Sequence, residues 1–398
     1  MQTIEDKRQP QVTGQIVVRV VRTLDEIEGL RPVWTFWQGI ADTDIDLYLM
    51  TLRSTKWCLR PHIIVLYRNG SPQAMLIGKL EDCGIQQKIG QWRLPSLHAR
   101  GLAFIYGGFL GDQSPVSCEI IMKSIQDSLR RGEADFALLN KLRTDNPLYG
   151  IALRVPGLLC RDHFAGTFVH CSMKLPNDTG ALYRCLSYEH RKQIRKKARH
   201  LLAAYPDRTR IARFEQVEEM EFALADAERV AEKTYQRGLG VGLKNDPVTR
   251  QLLALTATKG QFRAYILYLD DRPVAFWIGT LFRGIFRTDY TGYDPAYESF
   301  SPGIFLLMKV LEDLCQNEMH EIDFCYGSER YKQQFGNCTW HEAIVHIFAP
   351  TWKGFALNAI HTLVLLTDRL GRRILERTKL LPKLKRAWRV RLRPSQTR

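Results

Sequence analysis

Leu66-Tyr67-Arg68-Asn69-Gly70-Ser71-Pro72-Gln73-Ala74-Met75-Leu76-Ile77-Gly78-Lys79-Leu80 lines up without a gap on Leu267-Tyr268-Leu269-Asp270-Asp271-Arg272-Pro273-Val274-Ala275-Phe276-Trp277-Ile278-Gly279-Thr280-Leu281. Leu, Tyr, Pro, Ala, Ile, Gly and a final Leu are shared at a constant offset of 201. Each copy reads as an apolar strand, a polar turn closed by Pro, and a second apolar strand, which is a hairpin. Farther along each half the likeness resumes at a shorter offset: Ser114-Pro115 answers Ser301-Pro302, and Asp135-Phe136 answers Asp323-Phe324. The pattern predicts one α+β unit used twice.

A chain of 398 residues suits two domains better than one core. Its 45% apolar and 10% aromatic content is that of an ordinary globular protein. The net charge of +15 is local. Thr351–Arg398 holds 13 Lys and Arg against Asp368 and Glu376, a net +11, which leaves +4 for the 350 residues before it. The nine cysteines form no C-x-x-C pair and no metal-finger spacing, and their number is odd, so reduced thiols in a cytosolic protein are expected. The stretch Met1–Arg8 lacks the apolar core of a secretory signal, and no run approaches the roughly 18 apolar residues of a membrane span. The expected location is the cytoplasm.

Composition and periodicity divide the chain into a loose segment 1–14, a first α+β domain 15–175, a second 176–350 and a basic helical tail 351–398. The turn-rich Pro176-Asn177-Asp178-Thr179-Gly180 marks the boundary. In the second half, helices are expected at 182–204 and 217–233. Strands at 262–269, 274–281 and 284–290, a helix at 303–317, and strands at 321–325 and 343–348 should follow. Three hairpin-linked strands, a helix and a returning strand describe a mixed, mostly antiparallel sheet flanked by helices.

The return segment carries the chemistry. Ser301-Pro302-Gly303 opens a helix whose first backbone N–H groups, with the helix dipole, make a seat for a pyrophosphate. After that helix comes Asp323-Phe324-Cys325-Tyr326-Gly327-Ser328-Glu329-Arg330-Tyr331-Lys332. The series hairpin, Ser-Pro-Gly helix, Asp-Phe-x-x-Gly-x-x-x-Tyr-Lys resembles the C-terminal signature of the CelD/BcsL-type acetyltransferases of the GNAT superfamily. These are similar in doubled architecture to the FemAB/FemX aminoacyl transferases. The resemblance implies two tandem GNAT-like domains, and acetyl-CoA or another acyl-CoA as donor, seated by Ser301, Pro302, Gly303 and Gly327. The pyrophosphate loop departs from the family pattern, since Glu298-Ser299-Phe300-Ser301-Pro302-Gly303 keeps only the closing turn.

Transfer of an acyl group to an amine needs a base, a polarised carbonyl and an acid for the leaving thiolate. Asp323 is the candidate base, Tyr331 the candidate acid, and Lys332 a phosphate or acceptor contact. Asp289 sits on the strand where donor and acceptor would meet. Arg191, Arg195 and Arg199 recur every four residues along one helix face and, with Arg237 of the glycine-rich stretch 235–242, are candidates for holding an acidic acceptor. The ten His include no H-x-x-x-H or H-E-x-x-H, so no metal is expected. The tail joins apolar positions at helical spacing (Ile360, Leu363, Leu370, Ile374) to a basic run, which suits peripheral contact with the anionic inner face of a membrane. The expected activity is N-acylation, most simply N-acetylation, of a small or a lipid- or nucleotide-linked amine in polysaccharide or cell-envelope synthesis. Two alternatives stand beside it: an aminoacyl transferase fed by charged tRNA, and a non-catalytic scaffold on the membrane.

Overall fold

The structure is a computed structural model and describes residues 15–82, 84–90, 92–238, 242–327 and 329–377. The first half runs β1 (Ile16–Val21), α1 (Leu24–Trp37), α2 (Ile45–Ser54), β2 (Cys58–Pro61), β3 (Ile63–Arg68), β4 (Ser71–Asp82) and the short β5 (Lys88–Ile89) and β6 (Trp92–Arg93). It continues with β7 (Arg100–Gly111), α3 (Pro115–Arg130), β8 (Phe136–Arg143), α4 (Pro147–Arg154) and β9 (Gly166–Lys174). The second half opens with α5 (Thr179–Cys185), α6 (Tyr188–Ala204), β10 (Thr209–Phe214), α7 (Val217–Ala231), α8 (Tyr235–Gly238) and α9 (Pro247–Thr258). Then come β11 (Phe262–Leu269), β12 (Arg272–Phe282), β13 (Ile285–Tyr293), α10 (Pro302–Gln316), β14 (Glu321–Tyr326), α11 (Arg330–Phe335), β15 (Cys338–Phe348) and α12 (Trp352–Arg377).

The repeated tract is the β3–β4 hairpin in one copy and β11–β12 in the other. Both turns use two left-handed residues, Asn69 and Gly70 in the first and Asp270 and Asp271 in the second, as a tight hairpin between right-twisted strands requires. The shared glycine has its own reason. At Gly78 and Gly279 the ladder to the next strand slips, and a Cβ on Gly279 would stand 2.3 Å from the Arg287 carbonyl oxygen.

Thirteen strands form one sheet in the order β1-β3-β4-β7-β8-β15-β9-β14-β13-β12-β11-β10, with β2 added on β4. Read from either edge the order is the same: four antiparallel strands, then a parallel pair joined by a helix. The parallel pairs are β7–β8, crossed over by α3, and β13–β14, crossed over by α10. The two halves exchange strands at the centre. β9 of the first half pairs with β14 of the second, and β15 of the second pairs with β8 of the first. The cores follow the exchange, with Ala343, Val345 and Ile347 packed in the first-half core and Cys171 and Met173 in the second. A cut at residue 175 therefore divides the chain without dividing the sheet.

Two local readings are corrected. The helix expected over 182–204 is two helices, because Ser187 caps α6 by accepting the His190 N–H. The Asp135-Phe136 match is out of register. Asp135 precedes β8 and accepts the Arg100 N–H, whereas Asp323 lies within β14 opposite Arg287. From the ladders, in which Gly78 pairs Phe104 and Gly279 pairs Thr288, Leu138 holds the Asp323 position.

Candidate active site between the two halves

Each parallel pair splays beyond its last paired residues, Phe104 with Leu139 and Arg287 with Asp323. Where the splay begins, each outer strand has slipped its register, and each inner strand carries one left-handed residue, Lys141 (φ 51) and Cys325 (φ 59). Such slips turn backbone amides out of the ladder. Two cavities open at this level. One of 790 Å³ is walled by Asp42, Tyr106, Lys141, Arg287, Asp323 and Trp340, among others. The other, of 540 Å³, shares Asp42, Lys141 and Arg287 with the first and adds Asp289, Tyr290 and Lys259.

The shared wall is charged. Arg287 Nη1 lies 2.9 Å from Asp42 Oδ2 and 3.5 Å from Asp289 Oδ1. Asp289 also accepts the Thr280 hydroxyl at 2.6 Å. Burial raises the carboxyls of Asp42 and Asp289 above the usual range, against the pull of Arg287. Burial likewise lowers the Lys141 ammonium, which rests 4.0 Å over the Tyr326 ring. Behind this wall His170 Nε2 is 2.6 Å from Asp323 Oδ1, and its Nδ1 is 3.0 Å from Glu342 Oε1 without the alignment of a hydrogen bond. Glu342 accepts the Tyr106 hydroxyl and the Trp340 indole N–H.

The candidate residues named from the sequence separate on this geometry into three groups. Asp289 and Asp323 reach the cavities. Asp323 meets His170 and accepts the Cys325 N–H at 2.7 Å, while Asp289 accepts the Thr280 hydroxyl and faces Arg287. Tyr331 stands at the splayed end of β14, edge-on to Trp277 and Phe324. Lys332 is buried and donates to the Tyr326 carbonyl oxygen at 2.6 Å, so it braces the loop after β14 where a phosphate contact was expected. Gly327 holds φ 135 in that same loop. Arg191 donates to the Tyr183 and Leu186 carbonyls and ties α6 to α5, Arg195 lies over the Tyr183 ring, and Arg237 pairs with Glu228. None of these three lines either of the two cavities. Residues 239–241 of the glycine-rich stretch and 378–398 of the tail lie outside the described residues.

Ser301, Pro302 and Gly303 stand at the far end of β13. From Arg287 to Tyr293, which faces Gly303, is six residues, about 20 Å at ~3.3 Å per residue. That is the reach of an extended pantetheine arm. Ser301 is left-handed, and its side chain makes no capping bond at the start of α10. The matching start of α3 is filled from within. Ser114 caps Ser117 N–H, and the Asp112 carboxylate accepts from Ser114 N–H and from the hydroxyls of Ser114 and Ser117.

Residues 189–333 match the family profile of the acetyltransferase (GNAT) domain. That stretch of the second half carries a GNAT acetyltransferase domain. Among solved structures, the chain is similar to the C-terminal DUF2156 domain of a protein assigned as a lysylphosphatidylglycerol synthetase from Agrobacterium fabrum. The identity is 12% and the TM-score 0.50, covering 86% of this chain and 96% of that one. FemX matches at 10% identity and TM-score 0.49 over 76% of this chain and 90% of its own. A tandem GNAT protein from the clavulanic acid biosynthesis pathway matches at 10% and 0.47 over 85% and 99%. No curated protein matches the chain. The mirrored sheet order is that of a doubled unit, and the family match falls in its second copy.

Asp42, Tyr106, Lys141, His170, Arg287 and Glu342 were missed because they come from six different elements. One signal was available: Arg287 and Asp289 are two apart in an otherwise uncharged strand, and a charge pair there asks for a partner or a cavity.

Proposed function

We propose that the chain is an N-acyltransferase, most simply an N-acetyltransferase. In this reading acyl-CoA is seated on α10 and the amine acceptor enters the cavities between the halves. The observation that carries it is the contrast between helix starts: α3 is occupied by its own Asp112, whereas α10 has no side-chain cap. The pyrophosphate would meet the α10 amides and dipole, and the pantetheine would run along the splayed β13 toward Asp289. There the amine nitrogen attacks the thioester carbonyl and the slipped backbone of β13 polarises its oxygen. Asp289 takes the proton from nitrogen, the C–S bond breaks, and the thiolate leaves with a proton from Tyr331. The charged cavity wall suits an acceptor with polar or anionic groups, such as a nucleotide- or lipid-linked amino sugar of envelope synthesis. An exposed apolar stripe on α12, Ile360, Leu363, Leu370 and Ile374, supports peripheral contact with an anionic membrane from the cytoplasmic side.

The test is calorimetric titration with acetyl-CoA and longer acyl-CoAs, with Gly303→Trp as the control, followed by a screen of amine acceptors. Binding that Gly303→Trp abolishes supports the reading, and no binding of any acyl-CoA overturns it. One observation favours a second donor. Lys192, Arg195, Lys196, Lys197 and Arg199 are exposed on α6, a surface that suits an aminoacyl-tRNA. Steeply salt-dependent tRNA binding without acyl-CoA binding would favour it.

A further inference from the structure

We propose that Asp162, His346 and His361 form a divalent-metal site, suited to zinc, that pins α12 to β15 and to the loop before β9. The three come from three parts of the chain, and their ligand atoms all lie within 4.8 Å of one another. Asp162 Oδ2 is 3.5 Å from His346 Nδ1 and 3.8 Å from His361 Nε2. Both distances exceed a hydrogen bond, whose mode is near 2.9 Å, and both imidazole nitrogens are buried without a hydrogen-bond partner. They are close to the edge of a zinc tetrahedron, about 3.3 Å for bonds of about 2.0 Å. His361 is 6% exposed and Asp162 4%.

The charges point the same way. Among the described residues no Lys or Arg pairs with Asp162; its ion-pair contacts are the two histidines. A dication supplies the charge that this buried carboxylate lacks. The carboxylate is already aimed, because Oδ1 accepts the Phe164 N–H at 2.9 Å and Oδ2 the His346 N–H at 3.1 Å. Phe136 and Phe348 flank the imidazoles and keep the shell apolar. Two imidazoles and one carboxylate suit zinc among the first-row dications, with the fourth position left to water. None of the three residues lines either cavity, so the role is structural. Asn358, also on α12, donates to the Leu159 and Arg161 carbonyls, so a metal would reinforce an existing anchor. Sequence spacing could not show this site, because its ligands are separated by 184 and 15 residues.

The experiment strips the full chain with a chelator and titrates it with Zn²⁺, reading metal stoichiometry and melting temperature, and then with Co²⁺, reading its visible bands. The expected result is one Zn²⁺ per chain, a raised melting temperature and tetrahedral Co²⁺ bands. His361→Gln and His346→Gln should each weaken binding by more than about tenfold, while the exposed His98→Gln leaves it unchanged. Binding that survives in both His→Gln variants, or folded wild-type protein that takes up no stoichiometric Zn²⁺, overturns the proposal. Should both variants unfold, the wild-type stoichiometry and Co²⁺ bands decide, because a merely hydrogen-bonded Asp–His cluster gives neither.

Discussion

His170 on β9 and Asp323 on β14 meet at 2.6 Å between strands that come from different halves of the chain. Burial works against the imidazolium, yet Asp323 and Glu342 outweigh it and lift His170 to about 9 from an ordinary 6.5. A group raised in the folded state contributes stability in full below its unfolded pKa, and loses it as pH rises through the folded value. Wild-type stability should therefore fall between about pH 6.5 and 9, by roughly 2–3 kcal/mol at ~1.4 kcal/mol per pH unit. Denaturant midpoints at pH 6, 7.5 and 9.5 measure it. Asp323→Asn should be less stable at pH 6 and flatter across this window, with Glu342 left to hold part of the shift; an unchanged slope would show that the His170–Asp323 pair is not responsible.

Asp289→Asn separates chemistry from fold. Its carboxyl is held above the usual range by burial, so the base form is lost as pH falls through a value above that of an ordinary carboxylate. The acid limb of kcat/KM should lie there. The substitution should lower kcat by about 10²–10⁴-fold and leave stability unchanged or higher at neutral pH, since it removes a buried charge. Asp323→Asn, acting through His170, should cost less in kcat and more in stability.

Acyl-CoA should bind at one site per chain, although the chain holds two GNAT-like units. Asp112→Asn should leave calorimetric affinity for acetyl-CoA unchanged, because that carboxylate belongs to the closed helix start of α3. A stoichiometry of two would contradict the contrast between the two helix starts.

The duplication was legible because hairpin chemistry is local: Leu-Tyr, a turn, Pro, and Ile-Gly suffice to repeat a strand, a tight turn and a slipped ladder. The strand exchange was not, because nothing local in Gly166–Lys174 or Cys338–Phe348 states which half's parallel strand it will pair with. The candidate site divided the same way. Asp289 and Asp323 could be named from their strands, but His170, the partner of Asp323, lies 153 residues before it in sequence. Lys332 shows the opposite case, a buried residue in a family-like motif whose ammonium meets the Tyr326 carbonyl and the Glu329 carboxylate.

Two glycines that occupy the same place in the repeat should respond unequally. In Gly279→Ala the new Cβ meets the Arg287 carbonyl oxygen at 2.3 Å and the Phe286 ring at 2.5 Å, so backbone must move. In Gly78→Ala the first obstacle is the Phe104 ring at 2.5 Å, a side chain that can tilt. Both should destabilise by about 1–3 kcal/mol, Gly279→Ala more. Gly29→Ala on α1, where nothing lies within 4 Å, should stabilise by about 0.5–1 kcal/mol. Urea midpoints of the three variants give the order.

On α12, Leu363 is 63% exposed and Ile374 62%, in line with Ile360 and Leu370 at a spacing of three, seven and four residues, while His361 and Val364 on the other side are buried. A helix that packs one face on its domain and presents a second apolar stripe beside Arg369, Arg372 and Arg373 has the pattern on which the proposed membrane contact rests. Co-sedimentation with phosphatidylglycerol-containing vesicles should retain the wild-type chain and release it as salt rises, because basic residues contribute about 1 kcal/mol each near the surface. Leu363→Glu with Ile374→Glu should abolish retention without changing the melting temperature, since both side chains point away from the core. Equal binding to neutral and anionic vesicles would contradict the electrostatic part of this account. Loss of retention accompanied by a lower melting temperature would show that the stripe packs on protein.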